Sequence, residues 1–123
     1  MTASPPATTR AVIEAFNQAF ARHDPAAVME LMTPDCVFEG TFPAPDGERY
    51  EGAEAVRGYW ERFFGSTPSA HFEVEEAFEA GGRAVVRWRF TWDEPHGRGH
   101  VRGVDVFRVR DGKVAEKLSY VKG

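Results

Sequence analysis

The chain has 123 residues, a formal net charge of −4 and a pI of about 5.6, which fits a single acidic domain. That balance lacks the basic excess of nucleic-acid-binding domains, and no apolar run is long enough to span a bilayer. With 42% hydrophobic and 13% aromatic residues, the chain can build a sizeable core or a lined cavity. The N-terminus has no signal region, so we predict a cytoplasmic protein with neither a nucleic acid nor a membrane as partner.

Residues 1–8 are rich in Pro, Thr and Ala, and we predict a disordered lead-in there, followed by one domain over residues 9–123. Thr8 or Thr9 can cap a first helix, because a hydroxyl accepts a hydrogen bond from the first free amides. Apolar side chains then recur at helical spacing. They are Val12, Ile13, Phe16, Ala19 and Phe20.

A second helix begins at Asp24-Pro25, an acid that can cap it followed by a proline at its first position. Its buried side is predicted as Val28, Leu31 and Met32, and residues 33–35 are expected to stop it. A short strand is predicted over residues 36–40. Its single cysteine, Cys36, excludes an intrachain disulfide and is expected to pack as a small hydrophobe.

A third helix is predicted from Gly52 to Gly65, after a loop over residues 43–47. Its apolar face consists of Val56, Tyr59, Trp60, Phe63 and Phe64.

The rest of the chain alternates as β-strands do. Phe72, Val74 and Phe78 alternate with acids, and Gly81-Gly82 forms a turn. Further strands are predicted over residues 84–92, 101–109 and 114–121, with a glycine-rich loop over residues 95–99. Helices followed by an antiparallel meander predict an α+β fold, in which the helices pack in a strongly curved sheet that forms a cone with an apolar pocket.

Asp105 is the candidate catalytic residue. Side chains alternate along a strand, so it shares one face with Val101, Gly103, Phe107 and Val109. This face should pair with the aromatic face of the preceding strand. A carboxyl group in an apolar face is costly unless it is paired or protonated, and groups held in that way often do chemistry.

Two interpretations of Asp105 stay open. It can be an acid/base whose partner is His71, His100 or Tyr59, although no motif places any of the three. It can instead be structural, bonded to Tyr120 or to the ring N–H of Trp88 or Trp92. A second polar group beside Asp105, next to empty volume, would favour an enzyme. A cone plugged by Phe38, Trp60 and Trp88 would favour binding or scaffolding.

The layout resembles the superfamily of nuclear transport factor two-like proteins, the cystatin-like cone folds, which includes ketosteroid isomerases and SnoaL-like polyketide cyclases. The resemblance covers about residues 9–121. The segments that carry it are Asp24-Pro-Ala-Ala-Val28, Pro34-Asp-Cys-Val-Phe38, Tyr50-Glu-Gly52 and Gly103-Val-Asp-Val-Phe-Arg-Val-Arg-Asp-Gly-Lys-Val114. It implies that Asp105 matches a pocket acid, held protonated in the isomerases and acting as acid/base in the cyclases.

The resemblance also implies other catalytic groups, and most of them are missing. Gly40 stands where the isomerases carry their base, with Glu39 expected to point to the opposite face. Phe16, Met32 and Trp60 stand where they carry tyrosines. An epoxide-hydrolase variant of the fold would need an arginine at Gly103 and a second Asp, where the last strand has Glu116. We therefore expect no ketosteroid isomerase activity and no epoxide hydrolysis.

Our functional prediction is a SnoaL-like small-molecule protein that acts as an isomerase or cyclase, with Asp105 as acid/base on a small hydrophobic carbonyl compound. The alternative is a non-catalytic ligand-binding or dimeric interaction module. We expect no metal and no cofactor, because metal-type spacings such as HExxH or CxxC are absent. The predicted pocket consists of Phe16, Phe20, Met32, Phe38, Trp60, Phe63, Trp88, Phe90, Val101, Phe107 and Tyr120.

A homodimer is predicted through the outer face of the sheet. That face mixes basic and apolar side chains, and its arginines are expected to meet acids such as Glu73 and Glu75. The face consists of Arg87, Arg89, Arg102, Val104, Val106 and Arg108.

Overall fold

A computed structural model describes residues 8–122, as helices packed against one curved, open sheet. The predicted α+β class is confirmed, whereas the predicted lead-in lies outside the described residues except for Thr8. The elements are α1 (Thr9–Ala21), α2 (Pro25–Glu30), β1 (Met32–Glu39), β2 (Arg49–Glu51), α3 (Ala53–Ser66), β3 (His71–Ala80), β4 (Arg83–Glu94), β5 (Gly97–Arg110) and β6 (Lys113–Val121). None of these helices is long and apolar enough to cross a membrane.

The predicted starts of all three helices are confirmed, with Gly52 at the N-cap of α3. The Thr8 hydroxyl accepts a hydrogen bond from the Ala11 amide, and the Asp24 carboxylate accepts one from the Ala27 amide. These caps satisfy amides that have no partner within the helix. All residues of the predicted α1 stripe are buried, namely Val12, Ile13, Phe16, Ala19 and Phe20.

The strand order is β2-β1-β6-β5-β4-β3, antiparallel throughout except where β1 runs parallel to β6. The chain therefore forms a meander from β3 to β6, and the last strand then lies beside the first. The core lies between this sheet and the helices. Phe16 of α1, for example, meets Phe107 of β5 edge-on, with ring centroids 5.5 Å apart.

The second helix is shorter than predicted, because β1 begins at Met32 rather than at Cys36. The Val114 amide donates to the Leu31 carbonyl at 2.7 Å, and Met32 pairs with Val114, so β6 draws this stretch into the sheet. Pro34, expected to end a helix, lies where the pairing with β6 is irregular. No ladder hydrogen bond is needed from its nitrogen there.

Three further details of the strands differ from the prediction. The loop expected over residues 95–99 is a turn of Pro95 and His96, with strand pairing extending from Glu94 to Gly97. The short strand β2, which was not predicted, pairs with β1. The pairing of β3 with β4 shifts at Glu75, and the added residue turns Phe78 away from the face of Val74, which leaves Phe78 56% exposed.

Candidate active site

Asp105 lies at the centre of β5 on the inner face of the sheet, with 1% of its surface exposed. As predicted, the aromatic face of β4 pairs with this face of β5. Val86 lies opposite Asp105, Trp88 opposite Gly103, and Phe90 opposite Val101. The carboxyl group is therefore surrounded by apolar side chains on the β4 side. Its polar partners come from the other neighbouring strand, β6.

Two side chains of β6 contact the Asp105 carboxylate. The Ser119 hydroxyl donates to Asp105 Oδ1 at 2.6 Å, and Lys117 Nζ lies 3.3 Å from Asp105 Oδ2. Lys117 Nζ also donates to the Ser119 hydroxyl at 3.1 Å, which closes a ring of three polar groups. The Lys117 side chain is 6% exposed, so the ion pair is removed from water. Sequence reasoning missed both of these partners.

A β-bulge in β6 accounts for the missed residues. The turn pairs Arg110 with Lys113, and an unbroken register from that turn would place Leu118 opposite Asp105 and direct Lys117 to the outer face. The register instead shifts between Arg108 and Val109, so that Ser119 lies opposite Asp105. The extra residue in β6 turns the side chains of Lys117 and Ser119 toward the interior. Glu116 and Lys117 are adjacent in β6, so alternation must direct one of these two charged side chains inward, and this was the available signal in the sequence.

Aromatic rings surround the Lys117 ammonium group. Its nitrogen lies 4.9 Å from the centroid of Phe38 and 5.2 Å from those of Phe20 and Trp60, within the range of cation–π attraction. Desolvation lowers the pKa of the buried Lys117 amine, and the nearby Asp105 charge opposes this shift. The net direction is downward, so the neutral amine is more accessible than on an exposed lysine.

A cavity of about 170 Å³ adjoins this pair. It is smaller than the roughly 300 Å³ at which sites for drug-sized ligands begin, so it suits a small compound. A groove of about 350 Å³ between α1 and β3 is larger, but none of its ionisable residues is buried. The cavity is lined by Phe20, Phe38, Thr41, Tyr59, Trp60, Phe63, Phe72, Trp88, Phe90, Trp92, Val101, Asp105, Lys117, Ser119 and Val121.

Seven of the predicted pocket residues line the cavity, and four do not. Phe16, Met32 and Phe107 are buried in the core between the sheet and the helices, away from the cavity wall. Tyr120 is 54% exposed, because alternation directs it to the outer face between Ser119 and Val121. This corrects the expected position of Tyr120. The residues that do line the cavity are Phe20, Phe38, Trp60, Phe63, Trp88, Phe90 and Val101.

Of the three candidate partners for Asp105, only Tyr59 lines the cavity. Burial raises the pKa of the Tyr59 hydroxyl to about 12, so at neutral pH it remains a protonated hydrogen-bond donor. His71 and His100 are exposed and line no part of the cavity. The Trp92 ring N–H, a candidate structural partner, donates to Glu94 at 3.1 Å instead.

Some buried polar atoms of the residues that line the cavity have no partner among residues 8–122. Within that range the indole N–H groups of Trp60 and Trp88 donate to no acceptor, and Asp105 Oδ2 faces Lys117 without accepting a well-aligned hydrogen bond. Phe38, Trp60 and Trp88 are buried, but they do not fill the cone, because the cavity remains beside them. Since buried donors are nearly always satisfied in proteins, these indole N–H groups are candidate donors to an acceptor oxygen.

Within residues 8–122 no second carboxylate beside Asp105 lines the cavity, so the missing isomerase base has no replacement there. Glu39 pairs with Arg49, whose Nη1 lies 2.7 Å from its carboxylate, and Glu39 does not line the cavity. A Cβ at Gly40 would lie 3.3 Å from the Phe38 ring, so little room exists for a side chain there. Across residues 8–122, no three His, Cys, Asp or Glu side chains are grouped as a metal site would require.

The combination of helices and a curved, open sheet agrees with the comparison to protein families. The model of the SnoaL-like domain matches residues 13–117. The chain belongs to the SnoaL-like family. A nuclear transport factor two-like protein of unknown function from Mesorhizobium loti is 43% identical in sequence, with a TM-score of 0.80, over 94% of this chain and 91% of that one. No curated protein matches this SnoaL-like chain.

More distant solved structures share the fold. A proposed polyketide cyclase from Sinorhizobium meliloti is 23% identical, with a TM-score of 0.72, over 89% of this chain and 93% of that one. A protein with a ketosteroid isomerase-like fold from Catenulispora acidiphila, solved with trimethylamine, is 18% identical, with a TM-score of 0.78, over 92% and 86%. At these identities the likeness extends to the fold alone.

Proposed function

We propose that this SnoaL-like protein is an enzyme that shifts a proton on a small hydrophobic carbonyl compound, as an isomerase or cyclase, with Asp105 as its acid/base. The observation that carries the proposal is the buried Asp105–Lys117 pair in the wall of an aromatic cavity. Buried titratable pairs in such clefts are common at catalytic sites. Ser119, bonded to the other carboxylate oxygen, would fix the orientation of Asp105.

The oxygen proposed to carry the proton is Oδ2 of Asp105. Asp105 Oδ2, which accepts no well-aligned hydrogen bond, would take a proton from the carbon beside the carbonyl and return it to another carbon. The developing negative charge on the carbonyl oxygen needs donors. The ammonium of Lys117, the hydroxyl of Tyr59 and the unpaired indole N–H groups are the candidates at the cavity.

The substrate class follows from the size and lining of the cavity. A volume of about 170 Å³ with aromatic walls suits a one-ring or short-chain ketone rather than a steroid. Gly40 in place of the isomerase base is a separate argument against steroid isomerisation. A compound with one carbonyl oxygen would offer these donors an acceptor without leaving a second polar group buried among rings.

Hydrogen–deuterium exchange tests the proposal directly. One-ring ketones such as cyclohexanone and cyclohex-3-enone would be incubated with the protein in D₂O, and exchange beside the carbonyl followed by proton NMR. We expect Asp105→Asn to lower the exchange rate about 100-fold or more. Asp111→Asn makes the same chemical change in an exposed turn, where Asn tolerates the positive φ of 55°, and should leave the rate unchanged. Equal rates for wild type and Asp105→Asn would contradict the role.

A non-catalytic ligand-binding module is the second candidate. Phe16, Met32, Gly40 and Trp60 in place of the isomerase polar groups favour it. The same NMR samples separate the two. Line broadening of a ketone with no exchange above the buffer rate supports binding alone, whereas protein-dependent exchange supports the enzyme.

We also propose a homodimer formed through the outer sheet face. Val104 and Val106 lie there among arginines, and both are only partly buried within the chain. One of the expected acids already has a partner within the same chain, since Arg102 Nε lies 3.5 Å from the Glu75 carboxylate. We propose a cytoplasmic location, where a thiol such as buried Cys36 stays reduced.

A further inference from the structure

We propose that Lys117 is an amine nucleophile that captures an aldehyde or ketone in the cavity as a covalent imine. The inference uses the same cavity as the proposed proton transfer but does not depend on it. It assigns to Lys117 a bond-forming role, whereas the proton transfer needs only its charge. The chemical class of the ligand is a small apolar carbonyl compound.

The position of the amine carries this inference. Lys117 lines the cavity while its side chain is only 6% exposed, so a molecule in the cavity lies against a nitrogen that bulk water hardly reaches. A lysine in an apolar pocket is the usual setting for imine formation, because desolvation favours the neutral, nucleophilic amine. The fall in the pKa of the Lys117 amine through burial has this direction.

Asp105 supplies the proton transfers that imine formation needs. Its Oδ2 lies 3.3 Å from the amine nitrogen and can take a proton from the ammonium, which leaves a neutral amine beside a neutral acid. In an apolar site such a neutral pair avoids the cost of two buried charges. The acid then holds one proton close to the reacting carbon.

The atoms and charges of the step balance without an added oxidant or reductant. The nitrogen lone pair attacks the carbonyl carbon, a C–N bond forms, and the C=O π electrons move to oxygen, which takes the proton held by Asp105. The nitrogen then gives one of its protons back to Asp105, which leaves a neutral carbinolamine. The hydroxyl group leaves as water with the proton that Asp105 returns, and the nitrogen becomes an iminium ion. Loss of the remaining N–H proton gives the neutral imine.

The other lysines provide an internal comparison. The chain contains only Lys113, Lys117 and Lys122, and the first and last are exposed. If exposure to solvent alone set the rate of labelling, Lys113 and Lys122 would be labelled before Lys117. Preferential reaction at the buried residue therefore requires that the cavity activate its amine.

Reductive trapping tests the inference. The protein would be treated at neutral pH with benzaldehyde and sodium cyanoborohydride, and the benzyl group located by peptide mass spectrometry. We expect Lys117 to be labelled about tenfold or more faster than Lys113 and Lys122. Labelling of Lys117 at the same rate as those residues, or more slowly, overturns the inference. This measurement on wild type does not depend on whether any variant folds.

Variants of Lys117 separate the role of its amine as a nucleophile from the role of its positive charge. Lys117→Arg keeps a cation but lacks the nucleophilic amine, and we expect it to lose the fast label while Lys113→Arg retains it. Lys117→Met, checked by circular dichroism, gives the same comparison if Arg does not fit. Persistence of a fast single label in folded Lys117 variants overturns the assignment.

Benzaldehyde also keeps this test distinct from the test of proton transfer, because it has no hydrogen beside its carbonyl. Ketone exchange without fast labelling of Lys117 would leave the proton-transfer proposal standing and remove the imine. Fast labelling without ketone exchange would support the imine and remove the proton transfer.

Discussion

Lys117 and Asp105 form a diagonal pair across β6 and β5, with Lys117 Nζ 3.3 Å from Asp105 Oδ2. In the strand register Asp105 lies opposite Ser119, and Lys117 lies opposite Phe107. The long lysine side chain spans the diagonal, as such side chains can between neighbouring strands. The Lys117 side chain and its charge occupy space that apolar side chains would otherwise fill. Burying the charged pair there lowers the free energy of unfolding relative to an apolar core, but it places two reactive groups at the cavity.

The stability of the pair is testable with a double variant. We expect Lys117→Met to lower the free energy of unfolding by about 3–5 kcal/mol, because it leaves the Asp105 carboxylate buried without a cation. Asp105→Val together with Lys117→Met should recover most of that loss or exceed the stability of wild type. Urea unfolding followed by tryptophan fluorescence measures both. A double variant as unstable as Lys117→Met would show that the pair is required for the fold.

The stability should depend on pH through Lys117. An unfolded lysine has the ordinary pKa of 10.5, and burial lowers the pKa of this amine in the folded protein. Between the lowered pKa and 10.5 the unfolded chain binds more protons, so the free energy of unfolding rises with pH in that interval. The stabilisation is complete above the unfolded pKa and is lost as the pH falls through the folded pKa.

Chemical unfolding at several alkaline pH values checks this expectation. The slope for wild type should exceed that of the Asp105→Val/Lys117→Met variant by at most about 1.4 kcal/mol per pH unit. The double variant is the reference because both proteins share every other titrating group, including Tyr59. Parallel curves for the two proteins would exclude a lowered Lys117 pKa.

Gly103 is needed where β5 meets Trp88. A Cβ there would lie 2.2 Å from the Tyr120 carbonyl oxygen and 2.6 Å from the Trp88 ring, and backbone cannot move aside cheaply. We expect Gly103→Ala to lower the free energy of unfolding by about 1–3 kcal/mol. Gly65→Ala is the matched control, since nothing lies within 4 Å of its Cβ position in α3. That control should gain about 0.5–1 kcal/mol from helix propensity.

The proposed dimer predicts a specific effect of charge on the outer sheet face. Light scattering after size-exclusion chromatography should give a dimer mass for wild type at micromolar concentration. Val106→Asp places a carboxylate in the proposed interface and should halve that mass. Ala21→Asp, at the exposed end of α1 on the helical side of the sheet, should remain dimeric. A monomeric wild type would contradict the interface.

Local signals were enough for most of the fold. The caps at Thr8 and Asp24, the α1 stripe and the Asp-Gly turn follow from short-range chemistry, which acts within a few residues. Alternation placed Asp105 on the inner face, and the pairing of β4 with β5 followed from the same periodicity. The sequence was less informative at Met32, where pairing with β6 prevailed over the tendency to continue a helix.

What the sequence by itself determined is the family, the fold class and one buried acid among aromatic rings. The partners of that acid were decided only by the tertiary structure. A bulge of one residue in β6 reverses the face of every side chain that follows it, and no local pattern in residues 113–121 announces it. The bulge brings Lys117 and Ser119 to Asp105. Without the bulge, alternation from the turn would direct Lys117 to the outer face. With the bulge, Lys117 becomes the second group of the candidate site.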